Sequence, residues 1–297
     1  MKKLVTHNGN FHSDDVFACA ILSLVYKKEN IEWQVTRTRD PKLIEEADVV
    51  FDVGGIYDAS LDRFDHHQKG GAGERENGIP YASCGLVWKK YGPELVEGTL
   101  IQYIDEKICQ PIDAVDNGYD ISKTLVDGIY PYSFQSIVGA YRPTWKEDIQ
   151  GEDDNFLALV ELAEGILSRE IITATDRAEA RTKIEKAYEE AEDKRIILLE
   201  EGFTRDAILP VLSEYPEPVY FVYPKSMGHW KAEVVRKSMD SFEARRDFPE
   251  SWAGVRDEEL AEMTGVSDAY FCHNGRFLIV AKSKEGALEL AQKALEI

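Results

Sequence analysis

The sequence predicts an α/β fold: a parallel-sheet N-terminal domain, a helical connector and a smaller C-terminal α/β domain. Three observations carry this. Over the first 92 residues, short apolar strands alternate with helical segments, the pattern of a parallel sheet covered by helices. Residues 151–201 then turn acidic, with 15 acidic against 7 basic side chains, while their apolar positions keep a helical step. From about Phe203 strands and helices mix again. The expected domains are 1–150, 151–202 and 203–297.

Taken in order, Leu4-Val5-Thr6 reads as a short strand ending at a polar, Gly-containing loop. Asp14 to Tyr26 follows as a helix that is apolar on nearly every face and hence buried. Ile31 to Thr38 alternates as a strand, and Pro41 to Ala47 begins with proline in a helical first turn. Asp48 to Val53 is an apolar strand stopped by Gly54-Gly55. Ala82 to Tyr91 is helical, with Gly92-Pro93 as its stop signal. Leu95 to Val115 is a longer helical stretch that Pro111 must kink or restart. In the acidic segment Phe156, Val160, Ala163, Leu167 and Ile171 step by three and four along one face. In the tail, Val219–Tyr223, Tyr270–Cys272 and Phe277–Ala281 read as strands, and Asp257–Thr264 and Lys284–Leu295 as helices.

Composition narrows the function. The longest apolar run, Val16 to Val25, is broken by Ser23 and falls short of the roughly 20 residues that span a bilayer. Met1 to His7 shows no signal-peptide h-region, so a cytoplasmic protein without membrane association is expected. Four scattered cysteines, with no C-x-x-C pair, argue against a structural zinc site or a disulfide framework. The net charge of −20 repels polyanions at long range, which disfavours a general duplex-DNA binder. A phosphate-bearing substrate therefore needs a local reversal of sign, and a bound cation is the simplest source.

Polar clusters fall where expected strands end: His7, His12 and Asp14; then Asp52; then Asp65-His66-His67. Asp116, just before Gly118, is a fourth candidate. Ligands bind beyond the carboxyl ends of strands in open α/β sheets, so these clusters are expected to converge. Singly, each has an ordinary explanation. His7 and His12 are polar loop residues, and Asp14 suits the start of a helix. Asp52 inside an apolar strand is harder to dismiss, since a buried carboxylate needs a partner. Histidine and carboxylate donors without thiolate suit Mn²⁺, Mg²⁺, Co²⁺ or Zn²⁺, with carboxylate-rich sites leaning toward Mn²⁺. Two ions sharing an aspartate would clamp the attacking and leaving oxygens of a phosphoryl transfer. Because successive side chains alternate on an extended backbone, His66 is assigned to the metal and His67 to a substrate phosphate or leaving oxygen.

At these residues the sequence resembles the DHH phosphoesterase superfamily, which includes family II inorganic pyrophosphatases, RecJ-type exonucleases and oligoribonucleases. More narrowly it resembles the melanocyte-proliferating-gene exonuclease family. The motifs are T-H-N-G-N-F-H-S-D-D, R-T-R-D, D-V-G-G-x-Y-D, R-F-D-H-H-Q, D-A-V-D-N-G, F-P-E-S-W-A-G-V-R-D-E-E-L and F-C-H-N-G. The resemblance spans most of the chain and is weakest between 145 and 205. It implies a DHH-like N-terminal domain and a two-metal, Mn²⁺-type hydrolase with 3′–5′ exonuclease activity on RNA. By position it implies His7, His12, Asp14, Asp52, His66 and Asp116 as metal ligands and His67 as the substrate-side histidine. The His7-to-His12-to-Asp14 spacing is one residue longer than the H-x-x-x-D-x-D of the pyrophosphatases, with histidine in place of their first aspartate.

In the superfamily a C-terminal domain grips the substrate. Here residues 225–256 hold seven basic against five acidic residues, with Trp230 and Trp252 as stacking candidates. The expected substrate contacts are His229 (in S-M-G-H-W), Lys231, Arg236, Arg245, Arg246, His273 and Arg276. After His273 the chain departs from the family's G-F-x-G-G stretch, and Arg276 is read as replacing part of that phosphate cradle.

The expectation is therefore a metal-dependent phosphodiesterase with its cleft between the first and last domains. In it a metal-bridged hydroxide attacks phosphorus, Asp52 bridges the ions and His67 protonates or stabilises the departing oxygen. Single-stranded RNA or a short oligonucleotide is the expected substrate. Two alternatives stay open: a small-molecule phosphatase or pyrophosphatase, and a non-catalytic metal-dependent nucleotide-binding protein. Oligomeric state is not legible in the sequence.

Overall fold

The computed structural model describes residues 1–147, 151–225 and 228–297. The chain forms two compact units, Met1–Ala174 and Thr175–Ile297.

The first unit is built on a five-stranded sheet. In chain order its elements are β1 (Lys2–Thr6), α1 (Ser13–Lys28), β2 (Trp33–Arg37), α2 (Pro41–Glu45), β3 (Val49–Phe51), β4 (Tyr57–Asp58) and β5 (Arg63–Phe64). There follow α3 (Ser83–Leu95), α4 (Thr99–Ile104), a π-helical turn at Asp105–Cys109, α5 (Gln110–Asp116), α6 (Phe134–Tyr141) and the 39-residue α7 (Glu152–Glu190). The strand order is β2-β1-β3-β5-β4. All pairings are parallel except that of β4 with β5. Strands β4 and β5 carry too few residues for a periodic signal, and only the polar run Asp65-His66-His67 after Leu61-Asp62-Arg63-Phe64 marks the end of β5 in the sequence.

Helix α1 is buried from Ser13 through Leu22, and it packs chiefly on α3, which explains its apolar residues on every side. Helix α3 runs beyond the expected stop at Gly92-Pro93. Pro93 sits in its last turn, where it supplies no N–H to the helical ladder but has little helix left to disrupt. Gly92 answers to packing, because a Cβ there would lie 2.7 Å from the Trp88 ring. Pro111 stands in the first turn of α5, so the stretch from 95 is broken into α4, the π-helical turn and α5.

Most of the acidic segment, Glu152–Glu190, is a single helix whose apolar face does two jobs. Phe156, Leu159, Val160, Ala163 and Leu167 enter the core of the first unit, while Ala180 and Ile184 belong to a core of the second. In the second unit follow β6 (Ile196–Leu198), α8 (Arg205–Ser213), β7 (Tyr220–Pro224), β8 (Trp230–Val234), α9 (Asp257–Thr264), β9 (Ala269–Cys272), β10 (Leu278–Ala281) and α10 (Lys284–Glu296). Their sheet order is β6-β7-β8-β10-β9, antiparallel apart from the β6–β7 pair. Among the described residues, no helix is long and apolar enough to cross a membrane. The four cysteines are free and buried.

Candidate metal centre

The loops that leave the carboxyl ends of β1, β3 and β5 converge with the start of α1 and the end of α5. His7 follows β1, His12 caps the start of α1, Asp52 follows β3, and His66 and His67 follow β5. Asp116 is the last residue of α5. Three groups of donor atoms lie within 4.8 Å of one another: His7, His12 and Asp52; Asp52, His66 and His67; and His12, Asp14 and Asp116. All seven N-terminal residues expected from the sequence thus meet, and Asp52 belongs to two of the groups.

Asp52 sits at the centre. Its Oδ2 is 3.0 Å from His7 Nε2 and its Oδ1 is 3.3 Å from His66 Nε2. Its backbone takes a left-handed φ of +56°, a conformation that aspartate tolerates better than most residues. Ser83, fully buried at the start of α3, donates its hydroxyl to Asp52 Oδ1 (3.3 Å) and its N–H to Asp14 Oδ2 (3.3 Å). His66 Nε2 also lies 3.2 Å from Asp116 Oδ2 and 3.8 Å from Asp14 Oδ2.

Asp14 Oδ1 is buried with no hydrogen-bond partner among the described residues, and Asp15 Oδ2 and His66 Nε2 face charged neighbours without hydrogen-bonding geometry. Buried polar atoms are normally satisfied, so atoms of this kind call for a missing ion or water. The electrostatics agree. Burial, then the charges of Asp52, Asp116 and Asp15, hold the Asp14 carboxyl well above its usual range. Burial and the Asp52 charge push Asp15 up to about 7, against the pull of His7. Burial opposes ionisation of Asp52, yet His66 and His7 hold it well below the usual carboxylate range. Burial lowers the His66 imidazole, but Asp116 and Asp52 outweigh it and push the group up to about 10. Without a cation, Asp14 and Asp15 favour their protonated forms beside the ionised Asp52; a divalent ion would take the place of those protons. The nitrogen and oxygen donor set fits Mn²⁺, Mg²⁺, Co²⁺ or Zn²⁺.

His66 and His67 do not diverge as the alternation argument expects. Strand β5 ends at Phe64, the backbone beyond it is irregular, and the two rings sit 4.3 Å apart with both near Asp52. They differ in burial. The His66 side chain is 8% exposed and that of His67 is 62% exposed. His67 Nδ1 lies 2.8 Å from Asp65 Oδ1, and the second Asp65 oxygen accepts the Gly55 N–H. The Asp65 hydrogen bond raises the His67 pKa despite partial burial.

A pocket of about 1000 Å³ opens beside this cluster. Its lining includes the polar His7, His12, Asp52 and His67 and the apolar Ile44, Val50, Val53 and Ile56. Arg39 also lines it, and among the described residues its guanidinium hydrogen-bonds Asn8 acceptors, among them Asn8 Oδ1 at 2.9 Å. Arg39 lies in the R-T-R-D motif, but the sequence reading gave it no role; nor did it single out Asp15 or Ser83. Only the doubled aspartate at 14–15 signals Asp15, and nothing local signals Ser83.

The C-terminal candidates are placed as follows within the second unit. His229 stacks on Tyr270 with ring centroids 4.8 Å apart, and Ser226 and Met227 of its S-M-G-H-W segment lie outside the described residues. Lys231 Nζ is 3.2 Å from the Tyr223 hydroxyl and 3.6 Å from buried Glu233. Arg236 lies over the exposed Phe242 ring. His273 packs on Phe277, its Nδ1 accepting the Gly275 N–H, and Arg276 reaches Asp247 at 3.4 Å. Two expectations meet obstacles. Arg245 donates to the carbonyls of Pro218 and Ser213, and Arg246 to that of Leu295, so each is engaged by backbone. Trp252 is buried against Phe248 and has no free face on which a base could stack. Arg205, which the sequence did not single out, lies 2.9 Å from Glu233.

A family model, MYG1_exonuc, described as "Uncharacterised protein family (UPF0160)", matches residues 3–295. The MYG1 exonuclease of Homo sapiens is 30% identical over 326 residues, covering 99% of this chain and 85% of the human protein. The MYG1 protein C694.04c of Schizosaccharomyces pombe is 28% identical over 323 residues, covering 99% of this chain and 97% of that protein. Among solved structures, RecJ from Thermus thermophilus in complex with Mn²⁺ aligns at a TM-score of 0.29 and 12% identity, covering 100% of this chain and 52% of that one.

Proposed function

The chain belongs to the MYG1 exonuclease family, and from that premise we propose that it is a divalent-metal-dependent phosphodiesterase that removes nucleotides from the end of a nucleic acid. The finer reading is a 3′–5′ exonuclease on RNA or short single-stranded oligonucleotides, with two Mn²⁺ ions. One observation carries the reading most directly: buried Asp14, Asp15 and His66 atoms stand without hydrogen bonds around a carboxylate shared between two donor groups.

His7, His12, Asp14, Asp52, His66 and Asp116 would hold the ions. Ions there supply the positive charge that a phosphoryl transition state demands and make water a better nucleophile at neutral pH. The other steps fall to the chain itself. The pocket beside Asp52 receives the terminal nucleotide, its phosphate toward Arg39 and its apolar part against Ile44 and Ile56. With Nδ1 turned to Asp65, His67 holds its transferable proton on Nε2 and delivers it to the departing oxygen. Asp65 accepts the Nδ1 proton and stabilises the imidazolium, the form that also carries a proton on Nε2. In the second unit, His229, Lys231, Arg236, His273 and Arg276 remain the proposed contacts for the rest of the strand.

The test is hydrolysis of a short 5′-labelled RNA by metal-stripped protein with Mn²⁺ added back, beside an Asp52→Asn control. Stepwise shortening from the 3′ end, lost in the variant, supports the reading. Cleavage confined to pyrophosphate or mononucleotides would replace it with a small-molecule phosphatase. Tight oligonucleotide binding with no turnover on any substrate would leave a binding protein.

A further inference from the structure

Buried Arg75 and Asp113 interlock with the half-buried Asp105. Arg75, whose side chain is 7% exposed, makes a two-pronged hydrogen bond to Asp105, Nε to Oδ2 at 2.8 Å and Nη2 to Oδ1 at 2.7 Å. Its Nη1 lies 2.8 Å from Oδ2 of Asp113, which is wholly buried. The other Asp113 oxygen accepts the Gly85 N–H at 3.0 Å. Gly85 has no room for a side chain, since a Cβ there would lie 1.9 Å from Asp113 Oδ2 and 2.4 Å from Arg75 Nη2. A buried ion pair is a weak source of stability, because desolvation offsets the attraction and an apolar pair of similar volume does as well. Its presence here needs another reason.

Two routes lead from Asp113 to the cluster. Along α5, Asp116 lies three residues further on, and the Asp113 carbonyl accepts both the backbone N–H (3.0 Å) and the side-chain amide (2.8 Å) of Asn117. Across to α3, Gly85 follows Ser83 by two residues, and Ser83 holds Asp14 and Asp52 by one hydrogen bond each. Three carboxylates of the cluster therefore depend on elements that Asp113 joins. Arg75 also anchors the chain that leaves His67. Its N–H donates to Ile79 O at 3.0 Å, and its guanidinium lies 4.2 Å from the centre of the Tyr81 ring. The π-helical turn ahead of α5 begins at Asp105, the second partner of Arg75; turns of this kind recur beside functional sites.

We propose that Arg75 is a positioning residue for the metal cluster: by fixing Asp113 it sets the spacing of Asp14, Asp52 and Asp116. This rests on the reading of those carboxylates as metal ligands.

The test titrates Mn²⁺ into the metal-stripped full chain by calorimetry and records thermal melting of the same samples. Three proteins are compared: wild type, Arg75→Met and Arg75→Met/Asp113→Asn. The single variant leaves a buried carboxylate without its cation and should melt early. The double variant removes that orphan charge, keeps an acceptor for Gly85 and should recover most of the melting temperature. If Arg75 positions the cluster, Mn²⁺ affinity stays about tenfold or more below wild type in the double variant, as for other outer-shell partners of metal ligands. If affinity returns together with stability, Arg75 is merely structural and the proposal falls. If wild type itself binds no Mn²⁺, the metal reading fails first and takes this proposal with it. Should the single variant not fold, the double variant alone decides.

Discussion

His7 Nε2 lies 3.0 Å from Asp52 Oδ2, while the other oxygen of the same carboxylate faces His66 at 3.3 Å. One side chain thus stands between histidines delivered by two different strands. Replacing Asp52 by asparagine should remove Mn²⁺ binding and lower hydrolysis by more than about 100-fold, beyond the range that outer-shell changes reach. Asparagine is the informative substitution, because it tolerates the left-handed backbone at this position as aspartate does. Metal analysis of the purified variant beside its rate on labelled RNA checks both parts.

The metal-free protein should lose stability as pH rises from about 6 to 10. His66 has a folded pKa near 10, raised above its unfolded value of about 6.5. Its contribution is complete below the unfolded value and lost as pH climbs through the folded one. Asp15, raised to about 7, acts in the same direction, because the folded state favours its neutral form. Metal-stripped samples should therefore melt at lower temperature at pH 9 than at pH 6, and added Mn²⁺ should shrink the difference by displacing those protons. A melting temperature that rises over this window would contradict the assigned pairing.

Asp65→Asn should shift the pH–rate profile rather than simply lower it. The Asp65 hydrogen bond is the largest cause of the raised His67 pKa. Without the carboxylate the imidazole becomes a stronger acid. If protonated His67 is the form that works, the alkaline limb of kcat then moves to lower pH. Metal content should stay at the wild-type level, since Asp65 faces Gly55 and His67, neither of which is among the six residues proposed to hold the ions.

Gly85→Ala should destabilise the protein by about 1–3 kcal/mol, the range for overpacking a close-packed interior. The added methyl would press on Asp113 and Arg75, neither of which has space to retreat. Chemical denaturation should show a lower midpoint in the metal-free state, where ion binding does not mask the loss.

Arg39→Gln should weaken inhibition by a mononucleotide about tenfold, the order expected for losing a charge-assisted hydrogen bond to phosphate. Ile56→Asp should do the same by placing a carboxylate in the pocket's apolar lining, where Ile56 is 55% exposed and easily replaced. Inhibition constants for uridine monophosphate, measured on both variants, test the pocket independently of Asp52. Unchanged values in both would move the nucleotide elsewhere.

The sequence by itself determined the chemistry of the first unit. Histidines and aspartates stood where apolar strands gave out, and parallel strand order brings such ends to one edge, so His7, Asp52 and His66 could be grouped before any distance was known. Periodicity likewise announced α7, whose apolar residues recur at helical intervals, while α1 showed as an apolar run buried on nearly every face. Tertiary structure alone decided the rest. The short pair β4 and β5 carries no pattern, because two residues are too few to show a period. The buried supports Ser83, Arg75 and Asp113 are ordinary polar residues in the sequence and gain meaning only from neighbours 28 to 69 positions away. The basic run at 225–256 looked like one surface by charge count, yet hydrogen bonds turn Arg245 and Arg246 onto backbone carbonyls and packing hides Trp252. Charge and periodicity are local properties that a sequence displays. Which polar atom faces which partner is set by elements distant in the chain, and only the folded structure brings them together.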